Sequence, residues 1–250
     1  MSEWMWYSLL IPAGFVAGVI NTIAGGGSFL TLPALMFICG LDPRLANGTN
    51  RVAILLSSAS ASATFHKHGH LDKKLAARLA LPTLLGVPVG SWGAVTLPAQ
   101  AFEPIFGAIF LVMATILIVD PKRLIDSSRE HSASPMVVFP LFFAIGVYVG
   151  FIQAGMGILL LLGMSILKTG DLVASNAIKN SIGFLVTLAA LLVFIVNDMI
   201  AWLPGLIMAV GNVLGGVVGA KLAIRKGNRL IVVFMIIVMI ATGIELVVPD

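Results

Sequence analysis

From Ser8 to Cys39 the chain is apolar, except at Asn21-Thr22-Ile23-Ala24-Gly25-Gly26-Gly27-Ser28. Apolar runs follow at about Ala46–Phe65, Leu75–Leu97 and Phe102–Val119. After the hydrophilic stretch Asp120 to Ser134 come Met136–Leu167, Val173–Val196, Ile200–Leu222 and Leu230–Val248. Runs of this length predict membrane-spanning helices, which need about 20 apolar residues. Two runs are interrupted. Three consecutive glycines cost a helix about 1 kcal/mol each relative to alanine. In hydrocarbon such a break is tolerated only where it is buried in protein or lines a wet cavity. The break at Gly25, Gly26 and Gly27 exposes a helix N-terminus at Ser28, whose free N–H groups suit an anion. The plainer reading of these glycines is close helix packing.

The fifth run is broken in the same way, at Gln153-Ala154-Gly155-Met156-Gly157. Gly25 and Gly27 lie 130 residues before Gly155 and Gly157, and the same offset carries Gly40 to Gly170 and Asn50 to Asn180. Upstream the offset is 132, relating Gly14 to Gly146, Gly18 to Gly150 and Asn21 to Gln153. The chain therefore divides into halves, 1–120 and 136–250, joined by a connector over 121–135, in one transmembrane domain. Paired, glycine-interrupted apolar segments at corresponding positions are the sequence pointer to a transporter's binding site.

Composition narrows the class: 59% of residues are hydrophobic and 10% charged, against roughly 25% charged in soluble domains. The net charge of +4 is spread over short loops and does not point to nucleic acid. The single Cys39 leaves no intrachain disulfide to form. If every run crossed once, Lys and Arg would divide 7 to 8 across the membrane. If the fifth run enters and returns on one side, they divide 13 to 2, with only Arg44 and Arg51 opposite. The positive-inside rule prefers the second arrangement. As one straight helix, Met136–Leu167 would reach about 48 Å against a hydrocarbon core of about 30 Å. The expected fold is thus an all-α polytopic membrane protein of two inverted repeats. Each repeat has one re-entrant broken-helix hairpin plus three transmembrane helices. Both termini lie outside and the basic loops are cytoplasmic.

Candidate substrate-binding residues follow from the breaks and the polar groups nearest them. They are Asn21, Gly25, Gly26, Gly27 and Ser28 at the first break, and Gln153, Gly155 and Gly157 at the second. Thr49, Asn50 and Arg51 open the second run; Lys179 and Asn180 open the sixth. Polar groups inside a membrane are expensive and usually face the bundle interior. Asn47 and Asn176 fit equally well as helix caps at headgroup level. Arg51 and Lys179 either snorkel to the interface or bind an anion, one from each side of the midplane. His66, His68 and His70 lack a Cys or acidic partner to complete a metal site, and no metal or cofactor is expected. Ser28 as the nucleophile of an intramembrane hydrolase needs a base within reach, and no histidine lies inside an apolar run. An anion channel is the remaining alternative. Glu245 is the acidic residue well inside the terminal run.

Three stretches resemble the N-terminal signature of the TauE/SafE sulfite-exporter family. They are Gly14-Phe15-Val16-Ala17-Gly18-Val19-Ile20-Asn21-Thr22-Ile23-Ala24-Gly25-Gly26-Gly27-Ser28, then Thr31-Leu32-Pro33-Ala34-Leu35, then Ala46-Asn47-Gly48-Thr49-Asn50-Arg51. Gly150 to Asn180 is similar to the family's second half, with Gln153 in place of Asn21 and Met156 in place of Gly26. The resemblance implies a bacterial-type inner-membrane secondary transporter, not an enzyme. It implies export of sulfite, sulfonates or related small anions, with the small anionic substrate and the lipid bilayer as partners.

Overall fold

The computed structural model describes residues 7–119, 135–167 and 172–225, with 240 and 244. The connector, the eighth run and Glu245 lie outside the described residues, apart from Pro135, Ile240 and Ile244. Every regular element described is an α-helix. In chain order they are α1 (Leu10–Ala24), α2 (Ser28–Cys39), α3 (Pro43–Lys67), α4 (Lys73–Thr96), α5 (Ala99–Val119), α6 (Pro135–Phe151), α7 (Met156–Leu167), α8 (Leu172–Val196) and α9 (Trp202–Arg225). α4, α8 and α9 are long and apolar enough to cross a membrane. α3 is as long, at 25 residues, but Asn47, Asn50, Arg51 and its serines lower its hydropathy; it buries Asn47, Asn50, Arg51, Ser57 and Ser58 inside the protein.

Both expected breaks are present, and each is turned by a glycine at the corresponding position. Gly25 has φ 83° and Gly155 has φ 71°, a left-handed conformation that costs a glycine nothing. The arms they separate are short. α1 has 15 residues and α2 has 12, so each reaches only about 23 and 18 Å at 1.5 Å per residue. The following elements have conventional caps. Asp42 accepts from the N–H groups of Arg44 and Leu45 at the start of α3, with Pro43 in the first turn. Asp72 accepts from Leu75 N–H at the start of α4.

The helices pair reciprocally between the halves. α1 packs on α9, and α6 packs on α4. Both pairs run parallel: Gly14 meets Met208 and Gly18 meets Asn212, while Gly146 meets Thr83 and Gly150 meets Val87. Glycine lies on both sides of each seam. A Cβ on Gly90 of α4 would sit 1.8 Å from the Val147 carbonyl of α6, and one on Gly211 of α9 would sit 2.0 Å from the Ile11 carbonyl of α1. This is the small-residue packing that lets membrane helices approach closely. So both readings of the glycines hold, at different positions: Gly25 and Gly155 break helices, while Gly14, Gly18, Gly146 and Gly150 pack them.

α3 and α8 form the centre, in contact with each other and with α9 and α4. At one end of the bundle Arg44 Nη1 donates to the Leu97 carbonyl at 2.8 Å, and Ala201 N–H donates to Thr49 Oγ1 at 2.9 Å. This end therefore gathers the start of α3, the end of α4 and the α8–α9 turn. At the opposite end Phe65 packs with Ala177 and Ala220, which joins the end of α3 to the start of α8 and the end of α9.

The close glycine seams generate a prediction. Gly90→Ala forces α4 from α6 and should cost about 1–3 kcal/mol, as overpacking does. Gly93→Ala, whose Cβ would lie 3.6 Å from the Phe151 ring, should be tolerated. Thermal unfolding of the two variants in detergent separates them; equal melting temperatures would refute the seam.

Candidate functional site

Breaking a helix leaves its last carbonyls without intrahelical donors, and in a membrane interior water does not replace them. The two breaks here are served by the same device, each from the opposite half. α6 ends at Phe151. Arg51 of α3 donates to the Val149 carbonyl through Nη1 at 3.2 Å and Nη2 at 3.1 Å, and to the Gly150 carbonyl through Nη2 at 2.7 Å. One turn earlier on α3, Asn47 Nδ2 donates to the Phe151 carbonyl at 2.9 Å. Ser91 of α4 adds a bond to Gly150 at 3.2 Å. α1 ends at Ala24, and Lys179 of α8 donates from Nζ to the carbonyls of Asn21 at 3.0 Å and Thr22 at 2.7 Å. Asn180 Nδ2 reaches the Thr22 carbonyl at 3.4 Å. Cations at helix C-termini are favourable because the dipole ends there are negative.

Both cations are inside the protein. Arg51 is 0% exposed and Lys179 2% exposed, so neither snorkels to a headgroup. Arg51 also stacks over the Phe194 ring, with Cζ 4.4 Å from its centroid. The third proton of Lys179 goes to Asn176 Oδ1 at 2.7 Å. Among the described residues the one ion pair is Arg44 with Asp42, so no carboxylate balances either buried charge.

The tips of the two hairpins touch. Gly157 N–H donates to the Gly25 carbonyl at 3.1 Å, and a Cβ on Gly25 would lie 2.3 Å from Gly157 Cα. This contact makes the two N-termini unequal. The Gly157 N–H is taken, whereas no acceptor meets the N–H groups of Gly26 and Gly27 among the described residues. Ser28 opens α2 beside Asn50, whose Nδ2 donates to Ser28 Oγ at 3.1 Å and whose Oδ1 accepts from Thr31 Oγ1 at 2.6 Å. Gln153 lies past the end of α6, whereas Asn21 is still helical, which accounts for the two-residue change in offset. Its Nε2 donates to Thr187 Oγ1 and its Oε1 is buried without a partner.

Most of the residues singled out from sequence therefore converge: Asn21, Gly25, Gly26, Gly27, Gly157, Lys179 and Asn180 about the tips, Ser28 and Asn50 on one flank, Arg51, Gln153 and Gly155 about the second break. Thr49 does not join them; its hydroxyl holds the entry to α9. Asn47 and Asn176 are buried rather than capping at an exposed end, Asn47 donating to the Phe151 carbonyl and Asn176 accepting from Lys179. Their spacing was the available signal, since Asn47 with Arg51 and Asn176 with Lys179 and Asn180 share helix faces at three or four residues.

The model for the family described as "Sulfite exporter TauE/SafE" matches residues 10–246. The chain belongs to that family. It is 32% identical to "Probable membrane transporter protein ORF9" of Sinorhizobium sp, over 96% of this chain and 91% of the relative. It is 30% identical to "Probable membrane transporter protein" of Haemophilus influenzae, over 90% and 88%. It is 28% identical to "Probable membrane transporter protein YfcA" of Escherichia coli K12, over 92% and 85%. No solved structure matches.

The protein is thus a membrane transporter of the TauE/SafE family, and its serine chemistry fits that class. The partner of Ser28 is an amide, which cannot take its proton. His66 and His68 are exposed at the far end of α3, and among the described residues no group of His, Cys, Asp or Glu could hold a metal ion. The cross-half caps have a measurable consequence. Lys179→Met leaves the Thr22 carbonyl with only the 3.4 Å bond from Asn180, while the Asn21 carbonyl keeps the Gly25 N–H, and should lower stability by about 1–3 kcal/mol, the usual cost of under-satisfying a buried acceptor. Ser28→Ala should cost less, because Asn50 keeps its bond from Thr31. Detergent unfolding midpoints of the two variants test this ranking.

Proposed function

We propose that this TauE/SafE member is an alternating-access carrier exporting sulfite, a sulfonate or a related small organosulfur or organic anion across the bacterial inner membrane. The observation that carries the reading is the pair of fully buried cations, Arg51 and Lys179, with no acidic partner among the described residues. Burying an unpaired charge costs several kcal/mol even after relaxation. Helix C-termini repay roughly half a charge each, so the interior retains a positive potential that an anion would neutralise. The family's description as sulfite exporters supports the substrate class.

The transport geometry proposed is two re-entrant hairpins of opposite orientation, α1–α2 from outside and α6–α7 from the cytoplasm, meeting at Gly25 and Gly157. The parallel pairing of α1 with α9 and of α6 with α4 supports it, because α4 and α9 point in opposite directions through the bundle. In this reading α3 and α8 carry the substrate past the midplane, and the halves 1–120 and 136–250 are inverted repeats with both termini outside. Arg51 and Lys179 do more than line the path. Each pins the opposite hairpin, so an anion that draws either cation off its carbonyls loosens the other half.

Proteoliposomes test the function. Sulfite flux should saturate and show counterflow; flux proportional to concentration without counterflow would indicate a channel, and no flux of sulfite, sulfonates or carboxylates would reject the anion reading. Arg51→Gln and Lys179→Gln should each weaken anion binding in detergent and reduce its salt sensitivity, since screening acts on the charge removed. Orientation is tested separately. In a Cys39→Ser background, a cysteine at position 68 should be labelled only from the cytoplasm and one at position 198 only from outside; labelling of both from one side would overturn the topology.

A further inference from the structure

Two of the spanning helices carry exposed apolar faces. On α4, Leu81, Leu85, Val89 and Trp92 are each 52–65% exposed. They follow one another at three or four residues, which keeps them on one face, turned away from the Gly86 and Gly90 seam with α6. On α9, Leu206, Val210 and Leu214 are exposed in the same way, away from Gly211 and Gly215, which meet α1.

Both faces end in the same residue types. Trp92 closes the α4 face, and Trp202, itself half exposed, opens the α9 face. At the other ends stand exposed cations, Lys74 and Arg78 on α4 and Lys221 on α9. Arg44 and Thr49 gather the end of α4 with the start of α9, so the two tryptophans share one end of the bundle. The cations share the other, where Phe65 packs on Ala220. At 1.5 Å per residue, Lys74 lies about 27 Å along its helix from Trp92, and Lys221 about 29 Å from Trp202. The hydrocarbon core of a bilayer is about 30 Å thick, and tryptophan settles at its interface with water. Two helices of opposite direction therefore mark the same slab, aromatic at one boundary and basic at the other.

The basic boundary has no counter-charge of its own. Among the described residues the one ion pair is Arg44 with Asp42. Asp72, the acid nearest Lys74 in sequence, accepts from Leu75 N–H as the cap of α4. Lys74 and Arg78 lie one turn apart, on the face that continues into Leu81 and Leu85. A ligand that fits both parts carries a phosphate on an acyl chain. We propose that Lys74 and Arg78 hold the headgroup phosphate of an anionic phospholipid whose chains lie along Leu81, Leu85 and Val89. A zwitterionic lipid brings its own cation beside the phosphate and gains less there. Lys221 offers the α9 face a single charge, so α4 is the stronger seat. The site depends neither on which side of the membrane the basic end faces nor on what is transported.

Thermal unfolding of the purified full chain in neutral detergent tests this, with phosphatidylglycerol, phosphatidylcholine or glycerol phosphate added. Phosphatidylglycerol should raise the melting temperature saturably, and the other two should not at the same concentrations. Lys74→Gln/Arg78→Gln should melt as the parent does in detergent alone, since no bond within the protein is lost. Its apparent affinity for phosphatidylglycerol should fall about thirtyfold, each cation near an anionic lipid surface being worth about fivefold. Lys74→Arg, which keeps the charge, should bind as the parent does. A shift that survives the double substitution would place the lipid elsewhere and overturn the site, as would no shift in the parent. An equal shift with phosphatidylcholine would mean that chains alone bind, and one with glycerol phosphate that free phosphate does; either result overturns the proposal.

Discussion

A helix that ends in a protein interior must have its terminal carbonyls satisfied by other groups of the protein, and this molecule depends on how that is done. The donors come from the opposite half in both cases. Arg51 and Asn47 close α6, and Lys179 with Asn180 closes α1. Neither broken hairpin is complete within its own half of the chain. The demand for long donors that carry positive charge also explains why two cations are buried where an aliphatic side chain would be cheaper to insert.

That exchange makes the two halves energetically interdependent. A shift of α1 relative to α8 stretches the Lys179 bonds, and a shift of α6 relative to α3 stretches those of Arg51. Between them the tips share the Gly157 to Gly25 bond. Against this, the α1–α9 and α6–α4 seams are lined by glycine backbone, where packing is tight and few side chains interlock. Strong polar bonds at the tips and smooth seams along the arms would suit the proposed carrier, in which units move as rigid bodies once the tip bonds give way to a substrate.

Much of the fold was legible along the chain because hydropathy and glycine report local backbone. Among the described residues the runs fell on the helices, and the 130-residue offset placed Gly25 and Gly155 at equivalent left-handed turns. The direction in which Arg51 and Lys179 reach was not legible. Sequence adjacency put them beside Asn50 and Asn180 and suggested opposite membrane faces, while their real partners lie 98 to 158 residues away. Thr49 was drawn in by the same adjacency, although its hydroxyl turns to Ala201.

The two halves share a backbone plan but not its chemistry. At the first break the N–H groups of Gly26 and Gly27 stay open and Ser28 is flanked by Asn50. At the second, Met156 replaces Gly26, Gln153 fills the turn and bonds Thr187, and the Gly157 N–H is consumed by Gly25. A repeat that kept both sites polar would bury twice the desolvation cost in one bundle. Filling one break with its own side chains lowers that cost, although Gln153 Oε1 stays without a partner, and leaves the open donors at the first break. In the proposed carrier the shared backbone plan would supply symmetric motion, and the divergence of the side chains a single seat for the substrate.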